Sequence, residues 1–216
     1  MRSPDAVTTI ETLRRQAKAC TACPLYRHAT QTVFGEGDPS ATIVLVGEQP
    51  GDEEDRAGRP FVGPAGRLLD RALTRAGLDR SALYITNAVK HFKWTKDRAG
   101  GKRRIHERPS PDEIEACRPW LEQELWLIRP EVVVCLGVTA ARSVLKRRVT
   151  ISGARGETLT SPEGYRTLVT IHPSAILRIP APAEREAEEH RFVDDLRRAG
   201  RVSRHVDAAR KERTTG

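Results

Sequence analysis

His106 lies in a strongly basic stretch, residues 99–111, with the sequence AGGKRRIHERPSP. Near neutral pH a histidine can serve as a nucleophile, a general base or a hydrogen-bond donor. The run of glycines, cations and prolines predicts an exposed loop rather than a core strand or an amphipathic helix. By composition alone, such a stretch is more often a solvated basic loop than a catalytic one. Clustered cations also suit a surface that grips a polyanion, and those that precede the histidine are Lys102, Arg103 and Arg104.

The chain also has four cysteines. Cys20 and Cys23 form a C-x-x-C pair, and Cys117 and Cys135 follow far along the chain. No apolar run approaches the ~20 residues of a membrane helix, and the N-terminus carries no secretion signal, so we expect a cytoplasmic protein. Because cytoplasmic thiols stay reduced, the spacing favours one metal centre, and both zinc and a [4Fe–4S] cluster accept four thiolates. The alternative is that Cys117 and Cys135 are small buried hydrophobic residues.

The length and net charge of the chain indicate how many domains it has and what kind of partner it binds. The 216 residues suit one compact domain, and the net charge of +8 favours a polyanionic partner such as nucleic acid. We predict a single domain over residues 1–199 and a polar, flexible tail over residues 200–216. Nothing in the sequence demands more than a monomer.

Hydrophobic periodicity predicts strands that alternate with helices. The predicted strands lie in ATIVLV, SALYITNAV, EVVVCLG and YRTLVT. The predicted helices cover residues 6–19, 64–77, 111–129 and 183–199, together with the segment after EVVVCLG. Ser110 and Glu113 match a capping box at the start of the third of these helices. This alternation predicts an α/β fold, a three-layer α/β/α sandwich around a mostly parallel central sheet.

Polar, punctuated loops follow three of the predicted strands. GEQPGD follows the first, TNAVKHF and the basic stretch follow the second, and HPSAIL follows the last. Ligands of such sheets bind at the carboxyl ends of the strands, so these loops are expected to meet at one face.

The motifs GEQPGDEED, PFVGPAG, TNAVK and HPSAIL, interleaved with the four cysteines, resemble the iron–sulfur uracil-DNA glycosylases of the family 4/5 type. The resemblance covers residues 7–197 and implies the uracil-DNA glycosylase fold. It also implies a [4Fe–4S] cluster held by Cys20, Cys23, Cys117 and Cys135, which we expect to staple the fold rather than to act in the chemistry.

Within this superfamily, GEQPGD together with GGKRRIH resembles the UdgX branch. That resemblance implies an enzyme that excises uracil from DNA, with single strands preferred and free uracil as a product. It further implies that His106 then bonds to C1′ of the remaining deoxyribose and traps the protein on the DNA. Loss of the base leaves positive charge on the sugar and negative charge on uracil, so stabilising groups must face both.

The resemblance assigns a role to each motif residue. Glu48 is expected to stabilise the charged sugar or orient the nucleophile, and His172 to donate to uracil O2. The expected contacts to uracil and its sugar come from Gln49, Gly51, Asp52, Phe61 and Asn87. The expected contacts to DNA come from Lys102, Arg103, Arg104 and Ser174, and from a wedge formed by Ile176, Leu177 and Arg178. Glu53, Glu54 and Asp55 are interpreted as solvated carboxylates without a role.

Two other functions compete with this one. In the first, the protein is a hydrolytic uracil-DNA glycosylase that turns over, and His106 only contacts phosphate. In the second, it is a non-catalytic DNA-binding module stapled by a metal, with salt-sensitive binding that has no preference for uracil.

Overall fold

The computed structural model describes residues 9–96 and 104–214, with side chains described through residue 204. Its centre is a six-stranded sheet in the order β1-β3-β2-β6-β8-β7. The four inner strands run parallel, whereas the two edge strands are antiparallel to their neighbours. The sheet strands are β1 Glu36–Gly37, β2 Ile43–Gly47, β3 Tyr84–Asn87, β6 Val132–Leu136, β7 Leu159–Thr160 and β8 Arg166–Thr170.

Helices cover both faces of the sheet, so the predicted three-layer α/β/α sandwich is confirmed. They are α1 Ile10–Ala17, α2 Asp52–Ala57, α3 Pro64–Ala76, α4 Pro111–Ile128, α5 Val138–Leu145, α6 Ile151–Ala154, α7 Pro173–Leu177 and α8 Pro182–Thr214. Short 3₁₀ turns occupy Pro24–Arg27 and Arg80–Ala82. The predicted capping box of α4 is confirmed, because Ser110 and Glu113 bond each other's backbone N–H groups.

Alternate residues of the inner strands pack into two separate cores, as the pleat requires. Val44 and Val46 face the layer that contains α1, α4 and α5. Ile43 and Leu45 face the layer that contains α3, α7 and α8. The inner strands are therefore buried on both faces, which explains their continuous apolar runs.

The basic stretch is not a simple loop. Its second part forms strand β5 Arg104–His106, which pairs antiparallel with β4 Trp94–Lys96, so that His106 lies opposite Trp94. Residues 97–103, between the two strands, lie outside the described residues. The expectation of a loop at residues 104–106 was wrong, because the partner strand is ten residues away and is not marked by any local alternation of apolar residues.

The end of the chain also differs from the prediction. One helix, α8, continues past residue 200 to Thr214, instead of ending near residue 199. Its side chains pack on the domain at least as far as Ser203, whose hydroxyl is 3.0 Å from both Thr42 Oγ1 and Glu131 Oε2. Across the described residues, none of the helices has the length and apolar character needed to cross a membrane.

Candidate active site at the carboxyl edge of the sheet

The three polar loops meet at one edge of the sheet, as predicted from the direction of the parallel strands. Their side chains line a cavity of about 940 Å³. The predicted site residues that line it are Glu48, Gln49, Gly51, Asp52, Phe61, Asn87, Arg104, His106, His172, Ser174, Leu177 and Arg178.

Asn87, at the end of β3, has an acceptor without a partner. Its Oδ1 atom is buried and makes no hydrogen bond with any described residue. Gly47 makes room for this side chain, because a Cβ at position 47 would stand 2.3 Å from Asn87 Oδ1 and 2.6 Å from Phe61 Cζ. Phe61 is itself held in the left-handed region, with φ of 55°, which is uncommon for a non-glycine residue. An unpaired buried acceptor is costly unless a ligand supplies a donor.

His172 caps the start of α7 and lines the same cavity as Phe61. The ring centroids of His172 and Phe61 are 5.8 Å apart. The backbone N–H of Ser174 donates to His172 Nδ1 at 3.1 Å, so that nitrogen carries no proton and Nε2 carries it instead. Burial lowers the pKa of His172 to about 4, and the neighbouring His106 and Arg178 side chains lower it further. His172 is therefore a neutral donor at physiological pH.

Glu48 follows β2 directly and presents a carboxylate to the cavity. Thr139, in the first turn of α5, donates its hydroxyl to Glu48 Oε2 at 2.5 Å. The other oxygen, Oε1, lies 3.8 Å from His106 Nε2. One carboxylate oxygen is thus fixed by the fold, and the other points toward the imidazole.

Gln49 positions His106. Its Oε1 accepts the backbone N–H of Lys93 at 3.0 Å, and its Nε2 donates to the carbonyl of Glu107 at 2.8 Å. These backbone contacts fix which end of the amide is nitrogen. Nε2 also lies 2.9 Å from His106 Nε2, and since an amide nitrogen only donates, the histidine nitrogen accepts. We expected Gln49 to contact uracil or its sugar, but its amide is already engaged by the β4–β5 hairpin.

His106 is neutral at physiological pH. Burial lowers the pKa of its imidazole, the Glu48 carboxylate raises it, and Arg178 and Arg108 lower it. Phe92 packs beside the ring, with centroids 6.0 Å apart. The site therefore holds an unprotonated imidazole nitrogen opposite a carboxylate, in a cavity that also contains an amide acceptor and a neutral histidine donor.

The family model described as "Uracil DNA glycosylase superfamily" matches residues 34–197. The chain belongs to this superfamily. It is 38% identical over 192 residues to a Type-4 uracil-DNA glycosylase of Thermotoga maritima, covering 88% of this chain and 92% of that protein. A Type-4 enzyme of Pyrobaculum aerophilum is 36% identical over 183 residues, covering 80% of this chain and 86% of that protein. A Type-5 enzyme of the same organism is 32% identical over 178 residues, covering 72% and 74%. The expected superfamily is confirmed, while membership of the UdgX branch stays a prediction.

In this member of the superfamily, Arg104 holds the hairpin and is not free to contact phosphate. Its guanidinium pairs with Asp52 and, at 2.6 Å, with Asp55, and its side chain is only 13% exposed. Two carboxylates already neutralise this cation, which argues against the expected phosphate contact. Asp52, in turn, pairs with both Arg104 and Arg56. Lys102 and Arg103 lie outside the described residues.

The predicted wedge after His172 is only partly available to DNA. Leu177 and Arg178 are exposed, and together with Ser174 they line the cavity. Ile176 is fully buried in the core beneath α7, so it does not reach DNA and that prediction was wrong. Consecutive side chains of an α-helix are about 100° apart around the axis, so Ile176 points into the core while Leu177 points outward.

Two carboxylates that were interpreted as solvated prove to be structural. Asp55 is completely buried and accepts the Thr30 N–H in addition to pairing with Arg104. Glu54 is 8% exposed and accepts the N–H groups of Gly51 and Gly63, which joins two loops of the site. The signal in the sequence was the position of these acids in the first turn of a helix, where carboxylates commonly bond backbone N–H groups.

The structure brings three of the four cysteines together. Cys23 and Cys117 share a small apolar cluster, and Trp120 Nε1 donates to Cys20 Sγ at 3.2 Å. The pKa of Cys117 is raised to about 12, mainly by burial, while Lys90 lowers it and the nearby thiols of Cys23 and Cys20 raise it.

Cys135 lies elsewhere, in the middle layer of the fold. It is fully buried in β6 and packs in the core with Val46 and Val169. Burial alone raises the pKa of its thiol.

The sulfur atoms of the other three cysteines suit an iron–sulfur cluster, which is bound by thiolates. Within the described residues, 9–96 and 104–214, no three Cys, His, Asp or Glu side chains are grouped closely enough to hold one metal ion. A cluster binds each ligand through a different iron, so its ligands lie farther apart than those of a single zinc ion. The thiols of Cys20, Cys23 and Cys117 fit such a group, and Cys135 does not join them.

Proposed function

We propose that this protein excises uracil from DNA and that His106 then forms a covalent bond to C1′ of the deoxyribose. The observation that carries the proposal is the placement of an unprotonated His106 Nε2 atom 3.8 Å from Glu48, in the cavity that also holds Asn87 and His172. Relatives that cover most of the chain are named uracil-DNA glycosylases, which supports the excision step.

Asn87 supplies the selection of the base. Uracil presents an N3–H donor next to the O4 acceptor, and the unpaired Asn87 Oδ1 can accept that N3–H while the amide nitrogen donates to O4. Cytosine presents an acceptor at N3 and a donor at its exocyclic amine, so the same amide would oppose it at both positions. Leaving the buried Oδ1 atom unpaired discriminates strongly between the two bases.

His172 supports the departure of the base. When the N1–C1′ bond breaks, its electron pair leaves with uracil, and negative charge develops on the base oxygens. Neutral His172 carries its ring proton on Nε2, and this N–H donates a hydrogen bond to uracil O2. Phe61, beside His172, provides the apolar surface on which the base stacks.

Glu48 and His106 act on the sugar. The carboxylate faces the positive charge that develops at C1′, and Thr139 keeps it oriented. The lone pair of His106 Nε2 then forms the new bond to C1′, and the imidazolium that results loses its Nδ1 proton to solvent. The departing uracil anion takes up a proton and leaves as free uracil. Gln49 holds the imidazole beside Glu48, so that the nucleophile would attack C1′ in place of water.

An iron–sulfur cluster held by Cys20, Cys23 and Cys117 belongs to this proposal. When bound, it would fix the segment around the two N-terminal cysteines to α4, and we give it no part in bond cleavage.

Exposed Arg178 and Leu177 at the rim of the cavity suit a single strand or a flipped nucleotide, and we propose that the protein prefers single-stranded DNA. We also propose that it acts as a monomer.

A hydrolytic enzyme that turns over is the second candidate, favoured by the Type-4 names of the relatives. In that case Glu48 would orient a water molecule toward C1′, and His106 would remain unmodified. Both candidates use the same base contacts, and they differ only in what attacks C1′.

A denaturing gel separates the candidates. The protein is mixed with a uracil-containing single strand, and the wild type is compared with His106→Ala and with His28→Ala, which alters an exposed histidine outside the cavity. We expect a shifted protein–DNA band in the wild type and in His28→Ala, and none in His106→Ala. Uracil release with no shifted band from the wild type supports hydrolysis. DNA binding by the wild type without any uracil release refutes catalysis altogether.

A further inference from the structure

Three cysteine thiols lie together in this protein, whereas the fourth cysteine belongs to a different core cluster. Cys135 sits within β6, between Val46 of β2 and Val169 of β8, in a core cluster that contains neither Cys23 nor Cys117. To reach the other thiols, its side chain would have to leave the sheet. A different donor must therefore complete the set.

His91 is a buried histidine with no role in the proposed chemistry. It is 3% exposed, and its Nδ1 atom makes no hydrogen bond with any described residue. A buried polar nitrogen without a partner is rare in folded proteins and calls for a ligand or a metal.

The hydrogen bonds around His91 fix its tautomer. Thr32 donates its hydroxyl proton to the carbonyl of Ala17 at 3.0 Å, because a carbonyl only accepts. The same hydroxyl oxygen lies 3.0 Å from His91 Nε2, so it must accept a proton that Nε2 carries. Nδ1 then has no proton, and its lone pair is buried and unused. Histidine ligands of metals typically show this arrangement, in which the other ring nitrogen donates to a neighbouring group.

His91 also lies between the segments that carry the thiols. The preceding residue, Lys90, donates its backbone N–H to Cys117 Sγ at 3.2 Å. On the other side, the Ala17 carbonyl that accepts from Thr32 also accepts the backbone N–H of Cys20 at 3.0 Å. His91 thus follows directly the residue that bonds Cys117 Sγ, and its imidazole is linked through Thr32 and the Ala17 carbonyl to the backbone of Cys20.

We propose that His91, through Nδ1, is the fourth ligand of an iron–sulfur cluster whose other ligands are Cys20, Cys23 and Cys117. The assignment rests on the cluster included in the proposed function. One neutral imidazole replaces one thiolate, so the cluster carries one negative charge less than an all-cysteine cluster. Histidine ligation raises the reduction potential of iron–sulfur centres for this reason.

Metal content of the protein purified without oxygen tests the assignment. Iron and sulfide per chain are measured for the wild type, His91→Ala, His91→Cys, Cys135→Ala and His28→Ala. We expect His91→Ala to retain at least ~10-fold less iron, since even the loss of an outer partner of a metal ligand costs about that much. Cys135→Ala and His28→Ala should keep the wild-type content, the latter being an exposed histidine close to Cys23 in the chain. His91→Cys restores a thiolate and should bind iron with a lower reduction potential.

Pulsed electron paramagnetic resonance of the reduced cluster provides a direct reading on the unaltered protein. With ¹⁵N-histidine incorporated, we expect a nitrogen coupling to the cluster in the wild type that is absent in His91→Cys. This measurement does not depend on whether His91→Ala folds.

The outcomes separate the two levels of the proposal. A wild-type protein without iron overturns the cluster itself. Iron that is present without nitrogen coupling, and that is lost in Cys135→Ala, overturns the assignment of His91 and leaves the cluster standing. Uracil release, measured in parallel on the wild type, tests the proposed function independently of either.

Discussion

Replacing Arg104 with methionine distinguishes an internal ion pair from a contact to DNA. The Arg104 guanidinium pairs with Asp52 and Asp55, and it also lies 3.2 Å from Thr30 Oγ1. Its carbon atom Cζ stands 5.3 Å from the ring centroid of Phe92. Methionine keeps an unbranched apolar side chain and removes the guanidinium, together with its charge, its hydrogen bonds and its contact with this ring.

The expected cost follows from the burial of the partner. The Asp55 side chain is completely buried, and removing one member of a buried pair typically costs about 3–5 kcal/mol. We expect a value near the lower end, about 3 kcal/mol, because Asp55 keeps the Thr30 N–H at 3.0 Å. For a chain of this size, that corresponds to a fall in Tm of roughly 6–12 °C. Combining Arg104→Met with Asp55→Asn should recover most of the loss, since the amide keeps an acceptor for the Thr30 N–H and leaves no unpaired charge.

A DNA-binding assay distinguishes an internal ion pair of Arg104 from a contact to phosphate. Affinity for a single strand without uracil is measured at several salt concentrations, and each phosphate contact contributes about 0.7 to the slope of log affinity against log salt. We expect an unchanged slope for Arg104→Met and a reduction of about 0.7 for Arg178→Met, because Arg178 is exposed at the cavity rim. The adduct should form more slowly in Arg104→Met, since the hairpin that carries His106 is loosened.

A salt slope lowered by about 0.7 in Arg104→Met, with an unchanged free energy of unfolding, would refute the structural role of Arg104. The Arg104 guanidinium would then contact a DNA phosphate, and its pairs with Asp52 and Asp55 would not hold the hairpin in solution.

Four further predictions concern the cavity. Asn87→Asp should slow single-turnover uracil release by about 10²–10³-fold, because a carboxylate places a second acceptor against uracil O4. Gly47→Ala should cost about 100-fold in the same assay, since its Cβ would collide with Asn87 Oδ1 and with Phe61; wild-type rates in either variant would contradict the base contacts. Adduct formation should rise with pH through the lowered pKa of His106 and stay level above neutrality, as followed on gels across pH. Stability measured by denaturant should fall as pH drops from about 6.5 to about 4, because unfolding lets His172 take up a proton that burial excludes in the folded state.

The sequence predicted the fold because its signals are local. The buried strands are continuous apolar runs, and the helix that starts at Pro111 is marked by the Ser110 and Glu113 cap. Once strands and helices alternate, the parallel direction of the inner strands places Glu48, Asn87 and His172 at one edge. These three side chains could therefore be brought together without a structure.

The contacts that position His106 could not be predicted in the same way, because each joins residues far apart in the chain. The Gln49 amide meets a hairpin more than forty residues later, and nothing near Gln49 shows that its hydrogen bonds are already used. Arg104 is one of several neighbouring cations, and only its burial against Asp55 distinguishes it from a phosphate contact. The cysteine count likewise favoured Cys135 over a histidine whose free nitrogen is visible only in the folded structure.

The segment that carries the N-terminal cysteines also supports the hairpin that carries His106. Trp94 of β4 donates its indole N–H to the carbonyl of His28 at 2.9 Å, and Arg104 of β5 reaches Thr30 Oγ1 at 3.2 Å. Both contacts lie within a few residues of Cys23. Removing the proposed cluster with a chelator under reducing conditions should therefore disturb the position of His106 more than that of Asn87, which ends an inner strand of the sheet.

We expect the cluster-free protein to lose a larger fraction of its adduct-forming rate than of its uracil-release rate. The two rates are measured on the same single strand, by gel shift and by release of labelled uracil, before and after chelation and again after reconstitution with iron and sulfide. Equal loss of both rates would mean that the cluster supports the whole domain, and that the contacts of Trp94 and Arg104 do not transmit its presence to the hairpin.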